Sequence, residues 1–216
     1  LILNTIKISR NEKTGILILL ILYGVGLAGM LSPYRAIFLP LYALNLFITA
    51  SLMFWYEKNR GKEFLIFSVI AWLTGFFIEV AGVHTGKIFG VYHYGESLGI
   101  KFLNVPLVIG VNWFILVFAS AQWIKFLGIT NRILAAAIGA GLMVTLDLII
   151  EPVAMKLDFW QWNGDVIPLQ NYIGWFVIAF FLQYIYFQLH PKGLNVIAWF
   201  VMILQVLFFA VLRFFL

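Results

Sequence analysis

The chain has 216 residues, of which 63% are hydrophobic and only 11% charged, with a formal net charge of +5. A soluble domain of this length needs a polar surface that such a composition does not supply, so the sequence reads as a multi-pass membrane protein. The absence of cysteine excludes disulfides, thiolate metal sites and cysteine nucleophiles, and three histidines are too few for an imidazole-rich metal site. The basic residues are spread through short connections. That pattern suits membrane orientation and lipid headgroups and gives no nucleic-acid signal.

A spanning helix needs about 20 apolar residues at roughly 1.5 Å each. Seven stretches qualify: 14–32, 36–56, 64–83, 104–126, 132–151, 171–189 and 194–215. Residues 1–13 carry Lys7, Arg10 and Lys13 without a small-residue cleavage site, so no signal peptide is assigned. Ser32-Pro33 breaks the first gap, and Glu57 to Lys62 fills the second. Asn104-Val105-Pro106 predicts a helix start, with Asn as cap and Pro in the first turn. Pro152 is expected to stop the fifth helix. His190-Pro191-Lys192-Gly193 separates the last two. The expected fold is an all-α polytopic transmembrane bundle of about seven spans, one domain over residues 1–216.

Segments 84–103 and 152–170 are long, and in a seven-helix chain both lie on one side. Counting Lys and Arg gives nine on the side of Lys7 and Lys58 against five on the side of Arg35 and Lys87. This bias predicts a cytoplasmic N-terminus and external long loops.

The rare acids sit where they are expensive. Insertion scales put an Asp at a helix centre at about +2.5 to +3.5 kcal/mol, less near an end. Glu79 falls near the end of the third span, Asp147 and Glu151 at the end of the fifth, all toward the long loops. Asn112, Trp113, Asn171 and Trp175 lie in the same half, and the loops carry His84, Tyr92, His93, Tyr94, Trp160 and Trp162. Nearly every unusual polar group thus gathers in one half of the membrane.

Asp147 and Glu151, four residues apart, share a helix face about 6 Å apart along the axis. Two such carboxyl groups repel when both are charged, and one that keeps its proton in an apolar pocket is a general acid. The bland alternative makes Glu151 an interfacial residue beside Pro152 and pairs Asp147 with a lysine or an amide. Glu79 reads as a second acid, a water orienter or a structural partner for a tyrosine. His84 and His93 match no helical metal spacing, and no metal is assigned. The glycines of the 84–103 loop lack a phosphate-loop ending and suit tight packing over a pocket. Trp160-Gln161-Trp162 is either an interfacial belt or an aromatic wall for a cation. A retinal pump also has seven helices, but it needs a lysine in its last span, and 194–215 has none.

Several motifs in order resemble the integral-membrane carotenoid hydratases, which include γ-carotene 1′-hydratases and bisanhydrobacterioruberin hydratases. The matching stretches run from Glu79 to Trp175: Gly86-Lys87-Ile88-Phe89-Gly90-Val91-Tyr92-His93-Tyr94; Val105-Pro106 with Trp113; Asp147-Leu148-Ile149-Ile150-Glu151-Pro152-Val153-Ala154; Trp160-Gln161-Trp162; and Asn171-Tyr172-Ile173-Gly174-Trp175. The family pattern often carries Asp where this chain has Glu151, which keeps the chemistry. The resemblance implies an enzyme that protonates C2 of the terminal alkene of an open isoprenoid end and captures the C1 cation with water. The candidate catalytic positions are Asp147, Glu151 and Glu79: Asp147 is read as the acid, and Glu151 or Glu79 as the second carboxylate that orients the water and takes its proton. Tyr92, His93, Tyr94, Trp113, Trp160, Trp162, Asn171 and Trp175 are the substrate-binding positions. No cofactor is expected. The expected partners are a lipophilic carotenoid, membrane lipids and other enzymes of the carotenoid pathway. The competing readings are an end-group cyclase, a proton-coupled transporter using the three acids as a relay, and a non-catalytic pigment-binding protein.

Overall fold

The computed structural model describes residues 8–189 and 193–216. Lys7, Lys192 and the break at His190-Pro191 lie outside the described residues. The helices are α1 (Arg10–Leu31), α2 (Arg35–Phe38), α3 (Leu41–Trp55), α4 (Lys62–Thr85), α5 (Val108–Phe126), α6 (Arg132–Lys156), α7 (Leu169–Leu189) and α8 (Val196–Phe215). Six of them are long and apolar enough to cross a membrane. Exposed Leu17, Ile21, Val25, Phe77, Phe181 and Leu207 make the outer surface apolar, as a lipid-facing bundle requires. The chain is therefore a multi-pass, all-α membrane protein. α5 is buried nearly all round and forms the central post, with α4, α6, α8 and α3 packed about it.

The remaining expected span, 36–56, is broken. Pro40 stands at the N-terminal end of α3, leaving a single turn (α2) before a 15-residue helix. Without an N–H, Pro40 cannot carry the ladder through. α1 starts earlier than its apolar run because Ser9 and Glu12 form a capping box: Glu12 N donates to Ser9 Oγ (3.3 Å) and Ser9 N to Glu12 Oε2 (2.7 Å).

Two further expectations are corrected. Pro152 does not end its helix, because α6 runs on to Lys156. Proline at 152 removes the donor that Leu148 O would receive, and Arg213 Nη1 of α8 supplies it instead at 2.8 Å. Asn104 is not a helix cap. Leu103 (φ 50°) and Asn104 (φ 63°) form the two-residue turn of a hairpin between β2 (Lys101–Phe102) and β3 (Val105–Pro106), and α5 begins only at Val108. Asparagine tolerates the left-handed region that such a turn demands.

The two long connections meet. β1 (Tyr92–Tyr94) pairs antiparallel with β4 (Trp160–Trp162), in the register Tyr92↔Trp162, His93↔Gln161 and Tyr94↔Trp160. Gly95 N to Phe159 O and Asn163 N to Val91 O, both 3.0 Å, extend the junction at either end. This ribbon roofs one end of the bundle and places the loop residues over the ends of α4, α6 and α7.

Candidate active site

The roof works by parity. Side chains on a strand alternate between faces, so Tyr92 and Tyr94 point inward and His93 points out to an exposed position. Trp160 and Trp162 face them across the ribbon, with ring centroids 4.9 Å apart for Tyr92–Trp162 and 6.1 Å for Tyr94–Trp160. The floor comes from four helices: Glu79 of α4, Ile109, Asn112 and Trp113 of α5, Glu151 of α6, and Asn171 and Trp175 of α7. The indoles of Trp113 and Trp175 stack at 4.5 Å. Between roof and floor lies a cavity of about 30 Å³, room for about one water molecule.

Glu79 accepts three hydrogen bonds. Tyr92 Oη (2.5 Å) and Tyr94 Oη (2.8 Å) donate to Oε2, and Trp113 Nε1 (3.0 Å) to Oε1. Burial, then the neighbouring Glu79 carboxylate, pushes both phenols up, so they stay O–H donors at neutral pH. Glu151 is held in parallel fashion. Trp160 Nε1 (2.9 Å) and Trp162 Nε1 (2.7 Å) donate to Oε2, and Asn171 Nδ2 (2.9 Å) to Oε1. The same amide nitrogen donates to Asp147 Oδ2 at 2.9 Å. Asp147 Oδ1 is buried without a partner among the described residues. The ion pairs among those residues, Glu12–Lys58 and Glu96–Lys101, involve none of the three acids.

Small residues let the aromatic groups reach Glu79. Gly75, Glu79 and Gly82 share one face of α4. A Cβ at Gly75 would run into the side chain of Trp113, and one at Gly82 would lie 2.7 Å from Phe89 and 3.0 Å from Tyr92 Oη. Two of the three donors to Glu79, Trp113 and Tyr92, thus rest against a glycine one turn away.

Of the positions singled out in the sequence, Glu79, Glu151, Tyr92, Tyr94, Trp113, Trp160, Trp162, Asn171 and Trp175 line one chamber. Asp147 sits behind it, joined through Asn171. His93 is not part of it, because strand alternation turns it outward. His84 lies on the exposed side of α4, its Nδ1 2.8 Å from Val80 O. Trp160 and Trp162 are chamber walls and not an outer belt. Phe89, Ile109 and Asn112 complete the lining. None carries an assigned role from the sequence, although Asn112 falls in the acid half of the membrane and Phe89 within a motif of the resemblance; Ile109 had no signal beyond proximity to Trp113.

A family model described as "Carotenoid biosynthesis protein" matches residues 38–215. The bisanhydrobacterioruberin hydratase of Haloarcula japonica is 31% identical over 156 residues, covering 67% of this chain and 50% of that protein. The chain thus spans about half the length of this relative. No solved structure matches the chain.

Proposed function

Because the chain belongs to the carotenoid biosynthesis protein family, we propose that it adds water across the terminal C1–C2 double bond of an acyclic carotenoid end group, giving a tertiary alcohol by acid catalysis. One observation carries this reading: two buried carboxyl groups, each held among the described residues by neutral donors alone, line a water-sized chamber walled by aromatic faces.

The chemistry divides between the two acids. Asp147 and Glu151 share the Asn171 amide, and two such neighbours in an apolar interior hold a proton between them. Glu151 lines the chamber, so it presents that proton to C2. The π electrons of the alkene form the new C2–H bond and leave the positive charge on tertiary C1. The faces of Trp113, Trp160, Trp162 and Tyr92 stabilise this cation. Water attacks C1 through an oxygen lone pair, and its proton passes to the Glu79 carboxylate, which Tyr92, Tyr94 and Trp113 hold in place. Return of that proton to the Asp147–Glu151 pair closes the cycle. C2 gains a hydrogen and C1 an oxygen, so their formal oxidation changes cancel and the cycle calls for no redox cofactor.

A proton relay across the membrane has less support. Gln183 Nε2 donates to Ser120 Oγ (2.6 Å) and Val117 O (3.0 Å) on α5. From Gln183 to Asn171, however, α7 runs roughly 18 Å, and its buried face carries Leu182, Ala179 and Trp175. The excess of Lys and Arg among connections on the side of Lys58 supports a cytoplasmic location for the Arg10 end of α1. The substrate reaches the protein through the bilayer, into which other enzymes of the same pathway release it.

The test is pigment mass analysis in cells that make an acyclic carotenoid, with and without this chain. The expected product is heavier by one water and disappears with Glu151→Gln. An isomer of unchanged mass would replace hydration by cyclisation.

A further inference from the structure

The chamber holds about one water, so the conjugated chain of a polyene must lie elsewhere, and only its end group comes up to the acids, parting the aromatic walls as it enters. Three cavities in series offer a path. α1 and α3 diverge around a groove of about 210 Å³. Its outer lips are Ile21, Val25, Leu41 and Leu44, all exposed toward lipid, and its inner end is closed by buried Tyr42 and Phe208. Behind Tyr42 is a second cavity of about 20 Å³, walled by Tyr42 and Phe209 on one side and by Ile109, Asn112 and Trp160 on the other. The last three also line the acid chamber.

The partition between groove and inner cavity has flat faces. The Tyr42 ring stacks on Phe159 (4.9 Å, 18°) and on Phe208 (6.0 Å, 17°). Parallel rings suit a planar conjugated chain. The groove wall is mostly apolar, with the Asn45 amide and Tyr42 among its lining, and Gly26 contributes no side chain to it. Pro40, which breaks the helix just before Leu41, sets the angle at which α3 leaves α2 beside this groove.

We infer that the groove between α1 and α3 holds the conjugated chain of the polyene, and that the end group passes the Tyr42 ring to reach Glu151 and Glu79. This rests on the hydratase reading of the chamber. The occupant is the substrate itself and not a bilayer acyl chain, because the groove shares Tyr42 with the inner cavity, and that cavity shares Ile109, Asn112 and Trp160 with the acids.

The experiment compares two alkenes that carry the same end group: lycopene, which fills the groove, and 2,6-dimethylocta-2,6-diene, which is too short to do so. Gly26→Phe fills the groove. A Cβ there meets Phe208 at 3.7 Å and Asn45 at 3.9 Å, ordinary contacts, so the backbone accepts a side chain. Leu44→Trp narrows the mouth from the α3 side. Phe181→Trp, on the exposed face of α7, is the control and keeps both rates within about twofold. For each groove variant, the lycopene rate is expected to fall about tenfold further than the short-alkene rate, the size of a pocket-shape effect. Equal losses on both alkenes, or no loss on lycopene, would overturn the groove assignment and leave hydration standing. A wild-type protein that hydrates neither alkene would instead remove the hydratase reading, and the groove with it.

Discussion

Tyr92→Phe and Tyr94→Phe, singly and together, test how Glu79 is held. Both hydroxyls donate to the same carboxylate oxygen, at 2.5 and 2.8 Å, while Trp113 serves the other. Phenylalanine keeps the ring contacts with Trp162 and Trp160 and removes only the O–H. A hydrogen bond to a charged acceptor contributes about 1.5–3 kcal/mol, and each 1.4 kcal/mol or so of lost transition-state stabilisation is about tenfold in rate. Either single variant leaves Oε2 one donor, so each is expected to lower hydration about tenfold. The double variant leaves a buried oxygen with none. The penalty then exceeds the sum of the singles, because an orphaned buried acceptor costs its full desolvation. A fall beyond about a hundredfold is expected. The assay is initial-rate hydration of lycopene in membranes, with thermal melting in detergent to confirm that the variants fold. A folded double variant that keeps more than about a tenth of wild-type turnover would refute the idea that the phenols position the base.

Arg213→Met should lower the melting temperature by roughly 2–4 °C, because it strips the donor from Leu148 O; in a Pro152→Ala background the helix supplies its own donor, and the loss should shrink toward zero. Equal losses in both backgrounds would sever the link between Arg213 and Pro152. His93→Ala should leave hydration within about twofold of wild type, since the ring faces outward, and a larger drop measured in the same assay would place it in the reaction. Gly75→Ala forces Trp113 away from α4 and should destabilise by about 1–3 kcal/mol while also reducing turnover through the lost bond to Glu79; unchanged melting and rate would show that the indole has room to move.

The acids and most of their neighbours were legible because charge and amide groups are rare in this chain and their positions along the spans put them at one end. The inward faces were not legible in the same way. Apart from α8, the long helices show almost no preference for one apolar face, so no hydrophobic stripe separates their lipid side from the core; α5 reads like α7 although it is far more buried. Pro152 looked like a stop because its partner, Arg213, belongs to the last helix, and only tertiary structure brings the two together. His93 was grouped with Tyr92 and Tyr94 by adjacency. The aromatic-polar-aromatic patterns of Tyr92-His93-Tyr94 and Trp160-Gln161-Trp162 carried the strand parity that separates it from them, but strands of three residues are too short to stand out until their pairing is known. Asn104 shows the same ambiguity in miniature, since asparagine suits both a helix cap and a left-handed turn.

The donors around Glu79 and Glu151 are phenols, indoles and an amide, with no lysine, arginine or histidine paired to either acid among the described residues. A centre built from fixed neutral dipoles has no ion pair for dissolved salt to weaken, and its burial keeps mobile ions at a distance. The hold on each carboxyl group is therefore set by geometry, and on the proposed reading hydration is expected to change little between dilute buffer and concentrated brine.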